Sequence, residues 1–258
     1  GTELLLGDIQ DTNSRYLARK FRDYGIDIYR TTTVGDNIER IAAVIREASA
    51  RAQIIITTGG LGPTVDDPTR DAVAHALGVQ SVFQPDLWHQ IQDRFKRFNR
   101  QATENNRRQA FIPAGATAIE NKVGTAPAFM AEKDGTIIIC LPGVPREMEY
   151  LTENNVIPML LERFNLSETL QTLILHVSGM GESQVDELIS DLETNGNPTV
   201  GLAAHSGVID IRIAAKARSL QLATEMLQSM SSEIRNRLGS AIYGADASNP
   251  AGPVPAGP

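Results

Sequence analysis

Along the first 160 residues the apolar positions switch repeatedly between a helical and an extended period. Leu17, Phe21 and Tyr24 recur at helical spacing after the cap candidates Asp11 and Thr12, and Gly25 stands where a left-handed cap would close that helix. Residues 26–29 then predict a strand. Ile38, Ile41, Ala42 and Ile45 predict a second amphipathic helix, and the unbroken run Ile54, Ile55, Ile56 predicts a strand buried on both faces. Residues 70–77 predict a third helix stopped by Gly78. Leu87, Ile91, Phe95 and Phe98 mark a fourth opened by Pro85, and residues 137–140 a second buried strand. This alternation predicts an α/β fold, a three-layer α/β/α arrangement on a mostly parallel sheet, with ligands taken beyond the carboxyl ends of the strands.

After about Asn165 the rhythm changes to strand (170–177), helix (183–192), two strands (199–204 and 208–216), helix (219–238) and a short last strand (241–243). That order predicts a separate small α+β domain with a split βαβ layout. The expected divisions are residues 1–164, 165–246, and a Pro/Gly/Ala-rich tail or linker over 247–258. Residues 1–7 read like a turn that follows a strand, so one short strand is expected upstream.

Composition narrows the function classes. The chain of 258 residues carries 24 Lys and Arg against 31 Asp and Glu, a net charge of −7, so its overall field repels polyanions and argues against non-specific nucleic-acid binding. No apolar run approaches the ~18 residues of a membrane-spanning helix. Cys140 is the single cysteine, which excludes an internal disulfide or a cysteine zinc cage and fits a reducing compartment. With no secretory signal visible, a cytoplasmic location is expected.

The strongest local signal is the stretch from Thr57 to Thr69, TTGGLGPTVDDPT, between a strand and a helix. Glycines let backbone N–H groups turn toward a ligand, and the following helix offers its positive end to an anion. The same letters also describe a plain glycine-rich turn capped by Asp67 or Thr69. A P-loop is excluded, because Gly62 is followed by Pro63 and Thr64 where Lys-Ser/Thr is required. Gly143 and Glu149 have the opening spacing of a Nudix box, but Ile157, Pro158 and Met159 stand where its Arg-Glu step belongs. A second strand-end loop, LPGVPREME from Leu141, fixes φ at Pro142, allows close backbone approach at Gly143, and starts a helix at Pro145 whose first turn holds Glu147. Asp36, in VGDN, reads first as a helix N-cap and second as a site residue.

The strings GTELLLG, DTNSRYLA, TTVGDN, TTGGLGPTVDDPTRDA, NKVGTAPAF and LPGVPREME, in order over residues 1–164, resemble the N-terminal part of the competence-damage-inducible CinA family. More distantly, the glycine loop and LPG.P resemble the molybdopterin-binding MogA/MoaB fold, and the second part is similar to the KH-like domain of CinA proteins. The resemblance implies metal-dependent hydrolysis of ADP-ribose to AMP and ribose 5-phosphate. It implies no nicotinamide mononucleotide deamidation, since that domain would follow this chain. By motif, Asp36 and Asp67 take the place of two aspartates central to the pterin-binding relatives.

The expected cofactor is a divalent ion, Mg²⁺ or Co²⁺, with room for K⁺ beside it. A diphosphate close to Asp36, Asp66 and Asp67 is repelled by roughly 4 kcal/mol per charge pair at ~4 Å unless a cation intervenes, and Mg²⁺ would bridge carboxylate to phosphate and acidify a bound water. Asp36, Asp66 and Asp67 are the candidate metal residues. Gly59, Gly60, Gly62, Pro63 and Thr64 are candidates for phosphate, and Pro142 and Gly143 for the far wall. Glu3 or Glu147 would position the attacking water. Asn121 and Gly124 in NKVGTAPAF are a binding element by resemblance, although on physics alone that stretch is a turn. Arg94, Lys96, Arg97, Arg100, Arg107 and Arg108 form a locally basic stretch that reads as a solvated helix face or as a phosphate contact. The second part carries no basic GXXG clamp, because Ser178, Gly179, Met180 and Gly181 lack the cations for one. Expected partners are a small nucleotide substrate and a second copy in a homodimer, with neither membrane nor nucleic acid. Molybdopterin binding or adenylylation, and a non-catalytic oligomerisation module, are the competing functions.

Overall fold

The computed structural model describes residues 1–97, 99–165, 169–205 and 207–248, so Phe98 and most of the expected tail lie outside the described residues. The chain forms two compact units: Gly1–Leu17 with Tyr29–Leu160, and Ala18–Ile28 with the chain from Leu161 onward.

In the first unit a four-stranded sheet runs in the order Ile54–Thr58, Thr136–Leu141, Ala128–Lys133, Thr117–Ile119. Ile54–Thr58 pairs in parallel with Thr136–Leu141, and the other two pairings are antiparallel. The α/β class holds, but among the described residues the sheet is mixed and not mostly parallel. The cause is a hairpin at Asp134 and Gly135, whose φ values of 51° and 81° are those of a type I′ turn. An Asp-Gly pair between two apolar runs is the sequence mark of such a turn. Every residue of Thr136–Leu141 is buried. Ile54–Thr58, expected to be buried on both faces, is only half-buried along its length, because among the described residues it has a neighbour on one side only. Residues 26–29 form no strand, and Ile28 and Tyr29 are exposed. Residues 1–7, read as a turn, hold a one-turn helix, Thr2–Leu6, closed by Gly7 at φ 79°.

The helices follow the sequence more closely. Thr12–Asp23 opens on Asp11, whose Oδ1 accepts from Ser14 N at 2.8 Å. Ile38–Ser49 buries Ile41, Ala42 and Ile45. Thr69–Leu77 stops at Gly78, φ 70°, and Pro85–Arg97 buries Leu87 and Ile91. Pro145–Leu151 continues through a π-helical turn, Thr152–Val156, into Ile157–Arg163. Ile41, Ile45, Leu61, Val73, Ile91, Phe129 and Ile138 share one core that fixes the strand ends against the helices around them.

The second unit has a fully antiparallel sheet in the order Ile242–Ser248, Thr169–Val177, Val208–Ala217, Thr199–His205. Helices Glu182–Glu193 and Leu220–Leu238 pack Val185, Ile189, Leu227 and Ile234 against its Leu175, Ile211 and Ile213. This is the anticipated βαββα(β) order. Ser219 caps the last helix by accepting from Leu222 N at 3.2 Å. No described helix is long and apolar enough to cross a membrane.

Candidate active site

The glycine loop leaves the end of Ile54–Thr58 with Gly59 and Gly60 at φ 93° and 68°, a left-handed pair that side chains resist. Its carbonyls are all engaged on the inner side. Gly59 O accepts from Thr69 Oγ1 at 2.9 Å and Gly60 O from Thr69 N at 3.2 Å. Leu61 O and Gly62 O each accept from the Arg70 guanidinium at 2.6 Å. In a trans peptide the N–H points opposite to the preceding C=O. The N–H groups of Gly60, Leu61 and Gly62 are therefore turned away from these anchors, and no acceptor among the described residues takes them. Successive unpaired amides are the kind of donors an anion takes, and of the three residues Gly60 and Gly62 are half-buried while Leu61 is 1% exposed. Gly59 plays another part than expected: its N–H donates to Leu141 O at 2.9 Å, so it supplies shape and not an amide. A Cβ on Gly143 would come within 3.1 Å of Gly59 Cα, which is how closely the two strand-end loops approach.

Arg70 escaped the sequence reading although it carries the loop. It is 5% exposed, its pKa is lowered by burial against the pull of Asp67, and it puts a positive charge directly behind the three amides. A signal existed, since a cation in the first turn of a helix opposes the helix dipole and needs a reason.

Asp67 turns inward, its Oδ2 accepting from Thr64 N at 2.9 Å and from Thr64 Oγ1 at 2.6 Å. It fills the space a Cβ on Gly62 would need. It does not cap the following helix, which begins after Pro68 without a side-chain cap. Pro63 is half-buried and Asp66 is exposed on the same turn. The cap role read for Asp36 belongs to Asn37, whose Oδ1 accepts from Arg40 N at 3.1 Å, while Asp36 Oδ2 accepts from Thr2 N at 2.7 Å. Glu3 is exposed in the Thr2–Leu6 helix, its carboxyl beside Gly1 together with that of Asp36. Among the described residues no three His, Cys, Asp or Glu side chains converge as a metal-binding set. Asp36, Asp66 and Asp67 are not brought together as one: Asp36 is bonded to Thr2, Asp67 to Thr64, and Asp66 is exposed beside Asp67.

Glu147 sits in the first turn of Pro145–Leu151, as expected. Its Oε2 accepts from Asn121 Nδ2 at 2.5 Å, and its carboxyl fills the space a Cβ on Gly124 would take. Burial pushes this carboxyl above its ordinary 4.5, with the Asn121 amide and the Arg94 guanidinium pulling it back. Asn121 also donates to Ala126 O, accepts from Val123 N and Gly124 N through Oδ1, and gives its own carbonyl to Arg94 Nη2 at 2.6 Å. Its amide is fully engaged, which makes it the organiser of the 121–126 loop and holder of Glu147 in place of a direct ligand contact. Pro142 is buried behind the loop that presents Gly143, and Gly143 O accepts from Asn13 Nδ2 at 2.9 Å, another residue the sequence reading missed.

Cys140 is inert in the core, its thiol pushed up to about 12 by burial. Of the basic stretch, Arg94 is built into the Glu147 loop, whereas Lys96 pairs with Asp93 and Arg107 with Glu104 on the surface.

An α/β unit with an amide cradle at its strand ends, followed by a small antiparallel α+β unit, corresponds to two families. Residues 1–162 match the family described as a probable molybdopterin binding domain, and residues 172–244 match the damage-inducible protein CinA KH domain. The chain belongs to the CinA family of competence-damage-inducible proteins. It is 45% identical over 247 residues to a putative competence-damage inducible protein of Caldicellulosiruptor bescii, covering 95% of this chain and 60% of that one. It is 44% identical over 245 residues to a CinA-like protein of Kosmotoga olearia, covering 95% and 59%. The chain thus spans about three fifths of the length of these relatives. A crystal structure of CinA of unknown function from Thermoplasma acidophilum superposes with a TM-score of 0.56 at 31% identity, over 64% of this chain and 92% of that one.

Proposed function

We propose that the first unit binds the diphosphate of a nucleotide at the Gly60–Leu61–Gly62 amides and hydrolyses it, with ADP-ribose the foremost substrate and AMP and ribose 5-phosphate the products. The observation that carries this reading is the loop itself: three amides with no acceptor among the described residues, the carbonyls that precede them fixed by Thr69 and by a buried guanidinium. Such donors stabilise the charge that grows on phosphate oxygens as a P–O bond breaks, and they need no reorganisation to do so. Glu147 is the base. Asn121 holds its Oε2, leaving Oε1 to take the proton of the attacking water, and a raised carboxyl pKa suits that task near neutrality.

The side chains of the described residues form no ready-made metal cage. They fit only an ion that arrives with the diphosphate, since Mg²⁺ is commonly held by one or two carboxylates plus substrate phosphates. Asp67 would be its protein ligand, its Oδ2 fixed by Thr64. Bound there, the ion would neutralise the diphosphate and polarise phosphorus.

Incubation with ADP-ribose, with and without Mg²⁺ or Co²⁺, should release AMP, and Asp67→Asn should nearly abolish the release while the fold melts as before. Full activity in that variant removes Asp67 from the mechanism. A second reading, molybdopterin binding, is favoured by the family to which residues 1–162 belong. Tight pterin binding without AMP release would select it.

A further inference from the structure

The 3₁₀ helix Glu104–Ala110 repeats every three residues, so its side chains stand in rows. Asn106 and Gln109 form the buried row: Asn106 Oδ1 accepts from Thr103 N and Thr103 Oγ1, both at 2.9 Å, and Gln109 Nε2 donates to Leu61 O at 3.4 Å. The other two rows, Glu104 with Arg107 and Asn105 with Arg108, are exposed. Together with Phe111 they line a concavity of about 400 Å³.

The two arginines are held differently. Arg107 is bonded to Glu104 at 3.1 Å, and its guanidinium carbon lies over the Phe83 ring, 4.8 Å from the centroid. Phe83 and Phe111 face each other across the antiparallel pair Ser81–Phe83 and Phe111–Pro113, with ring centroids 5.3 Å apart. Two rings and a guanidinium plane make a stacking platform whose charge Glu104 already answers. Arg108 has no carboxylate partner among the described residues, and its charge is close enough to help depress the pKa of Arg70 behind the glycine loop.

A ligand that uses both features carries a planar aromatic group and an anion. Bare phosphate would leave the platform idle, and an uncharged aromatic would leave Arg108 unanswered. Nucleobases stack on aromatic rings and guanidinium planes, and phosphate takes the arginine fork with two hydrogen bonds. A mononucleotide fits the lower part of the about 300–1,000 Å³ range of small-molecule sites, whereas a long nucleic acid meets a net charge of −7.

We propose that this concavity is a peripheral site for a nucleoside monophosphate, with its base on the Arg107–Phe111 side and its phosphate on Arg108. The helix meets the glycine loop at the Leu61 carbonyl and not at the free amides, so the site is separate from the diphosphate site and does not rest on the hydrolase reading.

The test is amide-resolved NMR titration with AMP, inorganic phosphate and a short single-stranded oligonucleotide, on the parent and on Arg108→Gln and Arg107→Lys. Residues 104–111 report this site, and Gly60 and Gly62 report the loop. AMP should move the 104–111 signals with an affinity about tenfold above that of phosphate, the worth of one stacked base. Arg108→Gln should weaken AMP there about tenfold, the worth of a hydrogen bond to a charged group. Arg107→Lys should weaken AMP about threefold to fivefold and leave phosphate unchanged, since lysine keeps the charge and lacks the plane. AMP that shifts only the glycine loop, equal affinities for AMP and phosphate, or an Arg108→Gln variant that titrates as the parent does overturns the site. An oligonucleotide that binds there more tightly than AMP overturns it in favour of a nucleic-acid contact. Movement of 104–111 with Gly60 and Gly62 at rest upholds the peripheral site and counts against the diphosphate reading.

Discussion

Both units pair charges on their surfaces, and they differ in the polar groups set beneath. In the second, charged side chains on the surface pair with one another: His176 lies between Asp210 at 2.7 Å and Asp246 at 3.1 Å, and Arg237 binds both Asp191 and Glu233. In the first, a buried guanidinium is bound to backbone carbonyls, and the matching amides are left without protein acceptors. A half-buried carboxylate is likewise caged by an asparagine so that one oxygen remains. Paired surface charges hold a fold together weakly and locally, whereas buried groups with unfilled capacity are costly unless something fills it. The proposed ligand site rests on that contrast.

The largest effect is expected at the base. Glu147→Gln should lower kcat by about 10²–10⁴-fold with little change in melting, and it should remove the acid limb of the pH–rate profile. In the parent that limb lies above the ordinary carboxylate value of 4.5, because the folded pKa is raised by burial and the rate needs the ionised form. An unchanged limb would assign the base elsewhere.

Next comes Arg70→Ala, which leaves Gly62 O without its donor and Leu61 O with only the 3.4 Å bond from Gln109 Nε2, and should cost about 3 kcal/mol in urea unfolding, with phosphate binding lost. Arg237→Ala in the second unit, an equal change on paper, should cost far less, as surface pairs do. Equal losses would dissolve the distinction between the units.

The smallest effect concerns pH. His176 has its pKa raised, first by Asp210 and then by Asp246, so the pairing contributes stability in full below 6.5 and loses it as the pH rises through the folded value. His176→Asn should flatten that part of the pH–melting curve and leave ADP-ribose turnover at constant pH untouched.

Much of this was legible in the residues themselves. Gly78 and Pro85 announced helix ends because capping is local chemistry, and the second unit's order could be read because its longest strand, Val208–Ala217, alternates over a single buried face. What escaped was non-local. Asp36 looked like a cap because Thr2, its partner 34 residues away, leaves no mark on the VGDN string. Asn121 looked like a ligand contact because its four bonds form only when 121–126 curls around Glu147. The strand expected at 26–29 had the right letters, but a strand needs a ladder, and none of the described residues offers one there.

The central claim is that three backbone amides receive phosphate, and amide-resolved NMR titration with ADP-ribose reads those amides directly. Gly60, Leu61 and Gly62 N–H signals should move furthest and together, with Gly59, already bonded to Leu141, moving least in the loop. Large shifts elsewhere with these three at rest would contradict the account.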